Sequence, residues 1–250
     1  MLKHRVSIFV FPVLLFLCWY LHNVWAAGLV LVIWILITTI GSFHMRWNYH
    51  VVAKHSNKTS EHIAITFDDG PSEFTEKVLD LLSETPHKVT FFLIGNKVDG
   101  HPELVRRMLM DGHAVGNHTF THGKNTGFLN KTDLKEEIVK TDFKLKEIIG
   151  KRPLFYRPPF GVTNPTLSKV IKETGHIVMG WSIRSLDTKI QNPELIKNRI
   201  LKKLKAGDVV LLHDTLPQTL EMLPGLLEVL KERGLQSVTL EELHNEMAYR

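Results

Sequence analysis

Five short stretches of this chain carry residue types that do chemistry, and most of them sit beside residues that bend the backbone. The first is Thr66-Phe67-Asp68-Asp69-Gly70-Pro71. Two adjacent carboxylates repel each other when buried together, so a divalent cation or an arginine is needed to hold them there. The plain alternative is a solvated Asp-Gly turn. The second is His118-Thr119-Phe120-Thr121-His122. On a helix, two histidines four apart face the same way, which is metal-ligand spacing; a chain with 14 histidines also forms such pairs by chance. The third is Arg157-Pro158-Pro159-Phe160-Gly161, where prolines fix the backbone and the arginine either grips a carboxylate in two-pronged fashion or lies in a surface turn. The fourth runs from Trp181 to Asp187, with a single acid at its end. The fifth is Leu211-Leu212-His213-Asp214. A histidine directly after an apolar run is placed where burial tunes it for acid–base work, or is simply a hydrogen-bonded rim residue. Taken together, Asp69, His118 and His122 make a two-histidine, one-carboxylate metal set that leaves a position for water. Asp68 is then available as a base and His213 as an acid, which completes the parts of a metal-dependent hydrolase.

These stretches need a frame that brings them to one place. Strands are predicted at His62–Phe67, Lys88–Leu93, His113–Gly116, Leu154–Arg157, His176–Gly180, Asp208–Leu212 and Gln236–Val238. Helices are predicted at Phe74–Glu84, Pro102–Met110, Lys131–Ile149, Pro165–Thr174, Pro193–Lys205 and Thr219–Lys231. Asn164-Pro165 and Asn192-Pro193 are cap-then-proline starts. Gly150, Gly175, Gly207 and Gly234 fall just past predicted helix ends. Strand and helix alternate, so the sheet should be mostly parallel, either a barrel or a doubly wound open sheet. In both, the strand C-termini lie at one rim, and the five stretches come after strand ends.

The start of the chain is different in kind. From Val6 to Phe43 there are 38 residues without Asp, Glu, Lys or Arg. A membrane span uses roughly 20, so residues 1–49 are expected to be a membrane anchor of two helices, Val6–Leu21 and Val24–Phe43, broken near His22-Asn23 where Trp19, Tyr20 and Trp25 crowd as interfacial aromatics do. A cleaved signal peptide fits less well, because a second apolar run follows the first at once. A buried hairpin of a soluble protein is the other alternative. Two spans put the basic N-terminus and the domain on one side, whereas a single bent span separates them, so the side of the membrane is left open. Residues 50–60 are expected to be a tether and residues 61–250 one domain of ample size. Residues 1–58 hold five basic residues and no acid, while the rest carries 26 basic and 26 acidic residues. The folded part is thus neutral, which argues against nucleic acid as a partner. A single cysteine excludes a disulfide framework and Cys-rich metal sites, and no glycine-rich nucleotide signature is present.

In order and spacing, Thr66–Pro71, His118–His122, Arg157–Gly161, Asp187 and Leu211–Asp214 resemble the five motifs of the NodB-homology polysaccharide deacetylases, carbohydrate esterase family 4. The resemblance runs from about Ile63 to Leu243. It implies an α/β fold, a distorted (β/α)7-type barrel, and metal-dependent removal of N-acetyl or O-acetyl groups from a polysaccharide. By the same resemblance Asp69, His118 and His122 would hold one divalent ion, usually Zn2+. Asp68 would be the base, Arg157 would hold it, and His213 would be the acid with Asp187 orienting it. The backbone N–H near Phe160 would face the oxyanion, and Trp181 and Leu211 would lie at the substrate pocket. The partner this implies is an acetylated glycan, and the apolar stretch Val6–Phe43 adds the lipid bilayer of a bacterial cell membrane. The fourth motif departs from the family pattern: Arg184 stands for its leading acid and Thr188 for its trailing tryptophan, which bears on specificity. Two rival readings are a metal-dependent amidase acting on a non-polysaccharide or lipid-linked substrate, and a carbohydrate-binding homologue without catalysis.

Overall fold

The apolar runs rich in β-branched and aromatic residues become strands, and the amphipathic stretches between them become helices that cover the sheet. A computed structural model describes residues 3–250. Its strands are β1 (Ala53–Lys54), β2 (Ala64–Gly70), β3 (Val89–Leu93), β4 (Ala114–Asn117), β5 (Phe155–Tyr156), β6 (Ile177–Met179), β7 (Ile183–Arg184) and β8 (Val209–His213). Its helices are α1 (His4–Tyr20), α2 (Val24–Phe43), α3 (Thr75–Ser83), α4 (Gly95–Val98), α5 (Pro102–Met110), α6 (Lys131–Ile149), α7 (Pro165–Thr174), α8 (Pro193–Leu201), α9 (Pro217–Glu232) and α10 (Leu240–His244). The strand order is β1-β6-β5-β4-β3-β2-β8-β7, and every pairing is parallel. Only three residues, Gly180–Ser182, lead from β6 near one end of this order to β7 at the other. Three residues reach about 10 Å, so the sheet must curl until its edges approach. The result is a distorted (β/α)-type barrel with eight short strands rather than seven.

Two of these strands lie outside the predicted set. Ala53–Lys54 fall inside the stretch predicted as a tether and pair with β6. Ile183–Arg184 pair with β8. In turn, Gln236–Val238 do not form a strand: Ile63 and Ser237 make a single bridge. The physical reason is the helix start just beyond. Thr239 caps α10 by accepting Glu242 N, so the chain turns away before a ladder can grow.

Side-chain alternation sorts each strand into two faces. Ile65, Phe67, Phe91, Val210 and Leu212 join the main apolar cluster, with Leu79 and Leu82 of α3, Val105 and Met108 of α5 and Leu223 and Leu226 of α9. The opposite face of the same strands carries Thr66 and Asp68 on β2 and Leu211 and His213 on β8. Register sets Thr66 beside Leu211 and Asp68 beside His213. One face of the sheet thus builds the core and the other carries the polar residues toward the rim.

The helices α1 and α2 pack as a hairpin, with Phe11 stacked on Trp34. At about 1.5 Å per residue the 20 residues of α2 span about 30 Å, the thickness of a bilayer core, and the 17 of α1 fall short of it. Only α2 is long and apolar enough to cross a membrane among the described residues. The foot of the hairpin is fixed to the domain. Tyr49 lies against Gly41, where a side chain on that glycine would have no room, and its hydroxyl bonds Ser7 Oγ. Thr163 N donates to Ser42 O at 2.9 Å.

Candidate active site

The end of β2 carries Asp68 and Asp69, and Asp69 adopts a left-handed backbone, φ 71°, so that both carboxylates reach His118 Nε2. Asp68 is buried and accepts a 2.7 Å bond from Arg157 Nη1 at Oδ1, while Oδ2 lies 3.8 Å from His118 Nε2. Arg157 is wholly buried, and every edge of its guanidinium is used. Nη1 also donates to Thr66 Oγ1, Nε to Met179 O and Nη2 to Gly180 O. Its flat face lies over the rings of Phe92 and Trp181, at 4.1 and 5.7 Å. A buried cation is tolerable only with such pairing. Burial pushes its pKa down, and the charge and bond of Asp68 work against that.

Asp69, His118 and His122 present three ligand atoms within 4.8 Å of one another. Asp69 Oδ1 lies 3.4 Å from His118 Nε2 and 3.3 Å from His122 Nε2, yet it is buried and has no hydrogen-bond partner. His118 Nδ1 is 2.7 Å from Arg157 O. A carbonyl only accepts, so Nδ1 carries the proton and Nε2 offers its lone pair to the cluster. Burial lowers the pKa of His122, and neighbouring His118 adds to this. For Asp69, burial acts upward, but the electrostatic pull of the imidazoles of His118, His122 and His213 around it holds its carboxyl well below the usual range. A neutral imidazole and an ionised carboxylate are the forms that bind a metal, and the orphaned Oδ1 is where an ion would be held. The residues therefore fit a divalent cation.

The two histidines do not meet through a helix. His118–His122 is a loop, bent by left-handed residues at Thr119 and His122, and this brings the rings to a centroid separation of 4.8 Å. Among the described residues, five of the eight non-glycine residues with positive φ are at the rim, in strand ends, turns or loops: Asp69, Thr119, His122, Phe160 and Leu186. Such backbone strain persists only where surrounding structure holds it.

His213 ends β8, with Nδ1 2.9 Å from Asp187 Oδ1 and its own N–H on Asp187 Oδ2 at 2.8 Å. Asp187 is fully buried and accepts further bonds from Ser185 Oγ, Thr188 N and Thr219 Oγ1. Burial lowers the His213 pKa, but the bond and charge of Asp187, with the charges of Asp68 and Asp69, raise it from 6.5 to about 9. His213 Nε2 is left facing the cluster, 3.9 Å from Asp69 Oδ2.

Phe160 is half exposed, with its ring 4.8 Å from that of His122. Gly161 has φ 70°, and a Cβ there would come within 2.5 Å of the Trp181 ring, so both backbone and space demand glycine. Leu211 is nearly buried on the face of β8 that carries His213. The structure thus brings Asp68, Asp69, His118, His122, Arg157, Phe160, Trp181, Asp187 and His213 to one rim, while Leu211 shares only the strand face of His213 and Arg184 lines a separate cavity.

Other residues hold the site without standing out in the sequence. Glu137 of α6 accepts Phe120 N and Thr121 N, Asn117 Oδ1 accepts Thr119 N, and Lys97 Nζ donates to Asp69 O. Asp214 is buried behind Gly70, takes a 2.6 Å bond from Thr75 Oγ1, and burial pushes its pKa up to about 7. Of these, only Asp214 belongs to one of the five stretches; the rest act from elements distant in the chain or from positions with no chemical signature of their own.

A parallel α/β sheet with a histidine–aspartate cluster at its C-terminal rim defines a hydrolase-like metal centre. The model of the polysaccharide deacetylase family matches residues 55–179. A peptidoglycan-N-acetylglucosamine deacetylase of Bacillus cereus is 40% identical over 191 residues, 72% of this chain and 87% of that one. A second from the same organism is 36% identical over 183 residues, 71% of this chain and 66% of that one, so the match spans just under two thirds of it. Among solved structures, a peptidoglycan N-acetylglucosamine deacetylase in complex with 4-naphthalen-1-yl-N-oxidanyl-benzamide is similar with a TM-score of 0.75 and 33% identity, covering 78% of this chain and 94% of that one. The chain belongs to the polysaccharide deacetylase family.

Proposed function

We propose that this protein is a metal-dependent deacetylase that removes N-acetyl groups from a glycan, with Zn2+ as the ion. The observation that carries the reading is the buried, unpartnered Asp69 Oδ1 between His118 and His122, set beside a second carboxylate and a histidine–aspartate pair. Asp69, His118 and His122 would hold the ion, which when bound would supply Lewis acidity for an acyl carbonyl and for water. Asp68, fixed through Oδ1 by Arg157, takes the proton of the attacking water at Oδ2. The Phe160 N–H stands near the developing oxyanion. His213, oriented by Asp187, delivers a proton from Nε2 to the departing amine, so that water and an acetamide leave as acetate and a free amine. Trp181 and Leu211 wall the pocket. The similarity to two peptidoglycan deacetylases favours an N-acetylated glycan as substrate.

Residues 1–49 would serve as a two-helix membrane anchor and residues 61–250 as the catalytic domain. A second reading, an amidase for a lipid-linked substrate, is favoured by one observation. The Pro158–Asn164 rim loop lies on the foot of the hairpin, through Thr163 N on Ser42 O and Gly161 near Met45 Sδ. Acetate release by the full chain from acetylated glucosamine oligomers, with and without Zn2+, tests the leading reading. Release that rises on zinc loading supports it. Fully loaded protein that releases none from any oligomer refutes it.

A further inference from the structure

Beside the foot of the hairpin is a cavity of about 260 Å³ lined in part by Phe43, Trp181 and four cations, Arg46, Arg184, Arg199 and Lys203. The cations come from separate segments: the turn that ends the hairpin, β7, and α8 with the turn after it. Like charges gathered on one cavity repel, and no carboxylate of the cavity lining offsets them. Among the described residues none of the four forms an ion pair. Arg46 Nη1 and Arg199 Nε reach only the carbonyls of Ser182 and Arg184, at 3.5 and 3.1 Å. A second cavity, of about 310 Å³, shares Arg46 and Lys203 and adds Lys58 and Lys205. Its acid, Asp208, is buried and already accepts Ser182 Oγ and Lys205 N. Several cations elsewhere on the domain are paired, as in Arg107–Asp80, Lys144–Asp99 and Arg152–Asp142; what sets these four apart is that they line one cavity together.

The second observation is the place. The first cavity opens at the last turn of α2, where Phe43 is exposed and Trp47 comes two residues after the polar turn begins at Met45. With α2 in a bilayer, these aromatics lie at headgroup depth and the cations lie at the level of the lipid phosphates. Guanidinium forks match phosphate oxygens two at a time, and lysine adds a mobile charge. We propose that this cavity binds the phosphate of a membrane lipid. Trp181 lines it and also covers Arg157 at 5.7 Å, so a phosphate held here is one side chain away from the acidic cluster. The inference takes α2 as membrane-embedded and makes no use of the hydrolytic chemistry.

The test uses the full chain in an uncharged detergent, stripped of lipid and titrated calorimetrically with three probes: short-chain phosphatidic acid, the matching diacylglycerol, and inorganic phosphate. Phosphatidic acid should bind saturably at one site, at least tenfold tighter than inorganic phosphate, and the diacylglycerol should not saturate. R184Q/R199Q should weaken phosphatidic acid binding tenfold or more. K203E, a change at an exposed turn, should weaken it in the same direction if the double variant fails to fold. Unchanged affinity in both variants overturns the site. Inorganic phosphate binding as tightly as phosphatidic acid overturns the lipid and leaves a soluble phosphate ester as the ligand class. Because binding is read without turnover, loss of the deacetylase reading would leave these outcomes intact.

Discussion

Asp187→Asn probes the coupling between His213 and its carboxylate. The two oxygens accept five bonds: Oδ1 from His213 Nδ1, Ser185 Oγ and Thr188 N, and Oδ2 from His213 N and Thr219 Oγ1. Asparagine keeps one acceptor oxygen and replaces the other with an N–H donor. Either way round, that donor faces an N–H: the His213 backbone, or the His213 ring and Thr188. A buried donor without an acceptor costs about 1–3 kcal/mol, and at about 2–4 °C per kcal/mol the Tm should fall by about 2–12 °C. The gap depends on pH with a definite sign. Burial raises the Asp187 carboxyl, but the bond and charge of His213, with Ser185 and Thr219, hold it below the usual range. Its contribution is therefore present above its ordinary pKa of about 4 and lost in more acid solution. The contribution of His213, raised from 6.5 to about 9, is complete below 6.5 and fades as pH climbs through about 9. The difference in stability between wild type and D187N should be widest between about pH 4 and 6.5. In activity, the alkaline limb of kcat/KM reports His213. A bound cation offsets the pull of Asp69, so the wild-type limb should lie between 6.5 and about 9, and in D187N it should move toward lower pH. The rate on an amide should drop about 10²- to 10⁴-fold, and less on an activated acetyl ester whose leaving group barely needs a proton. The assay is a pH–rate series on wild type, D187N and H213A with both substrates. An unmoved alkaline limb in D187N, with equal losses on amide and ester in H213A, would refute His213 as the acid.

Zinc content should separate the adjacent acids: His118→Ala and Asp69→Asn should lose most of the ion, while Asp68→Asn keeps it and loses turnover about 10²-fold or more. Equal metal loss in D68N and D69N would cancel that division of labour. Gly161→Ala places a Cβ 2.5 Å from the Trp181 ring at φ 70°, so it should destabilise by about 1–3 kcal/mol, read as a lower Tm; an unchanged Tm would mean the loop re-forms freely. Full-length protein should stay in the pellet after an alkaline carbonate wash, because apolar residues such as Leu29, Val32 and Ile35 face outward along α2. Release by the wash would mean that α2 does not span.

The candidate residues were legible in local order because the members of each motif lie within a few positions of one another. Asp68 and Asp69 follow an apolar run, His118 and His122 lie four apart, and His213 closes another apolar run, so type and spacing suggest a candidate metal set, base and acid. Strand alternation even determines that Thr66 and Asp68 share a face. What the order of residues leaves open is everything that depends on which distant segments meet. The two histidines converge through left-handed backbone at Thr119 and His122, not through helical spacing. Glu137, Asn117 and Asp214 support the site through contacts that only packing creates. β1 and β7 are two residues long, too short to leave a periodic signal, and exist because β6 and β8 offer them an edge. The cluster of Arg46, Arg184, Arg199 and Lys203 is scattered over more than 150 positions in the chain and becomes one cavity only when the hairpin docks. Local chemistry follows from covalent neighbours and hydrogen-bonding types; long-range juxtaposition follows from burying the apolar faces of many elements at once, and that is decided by the tertiary fold.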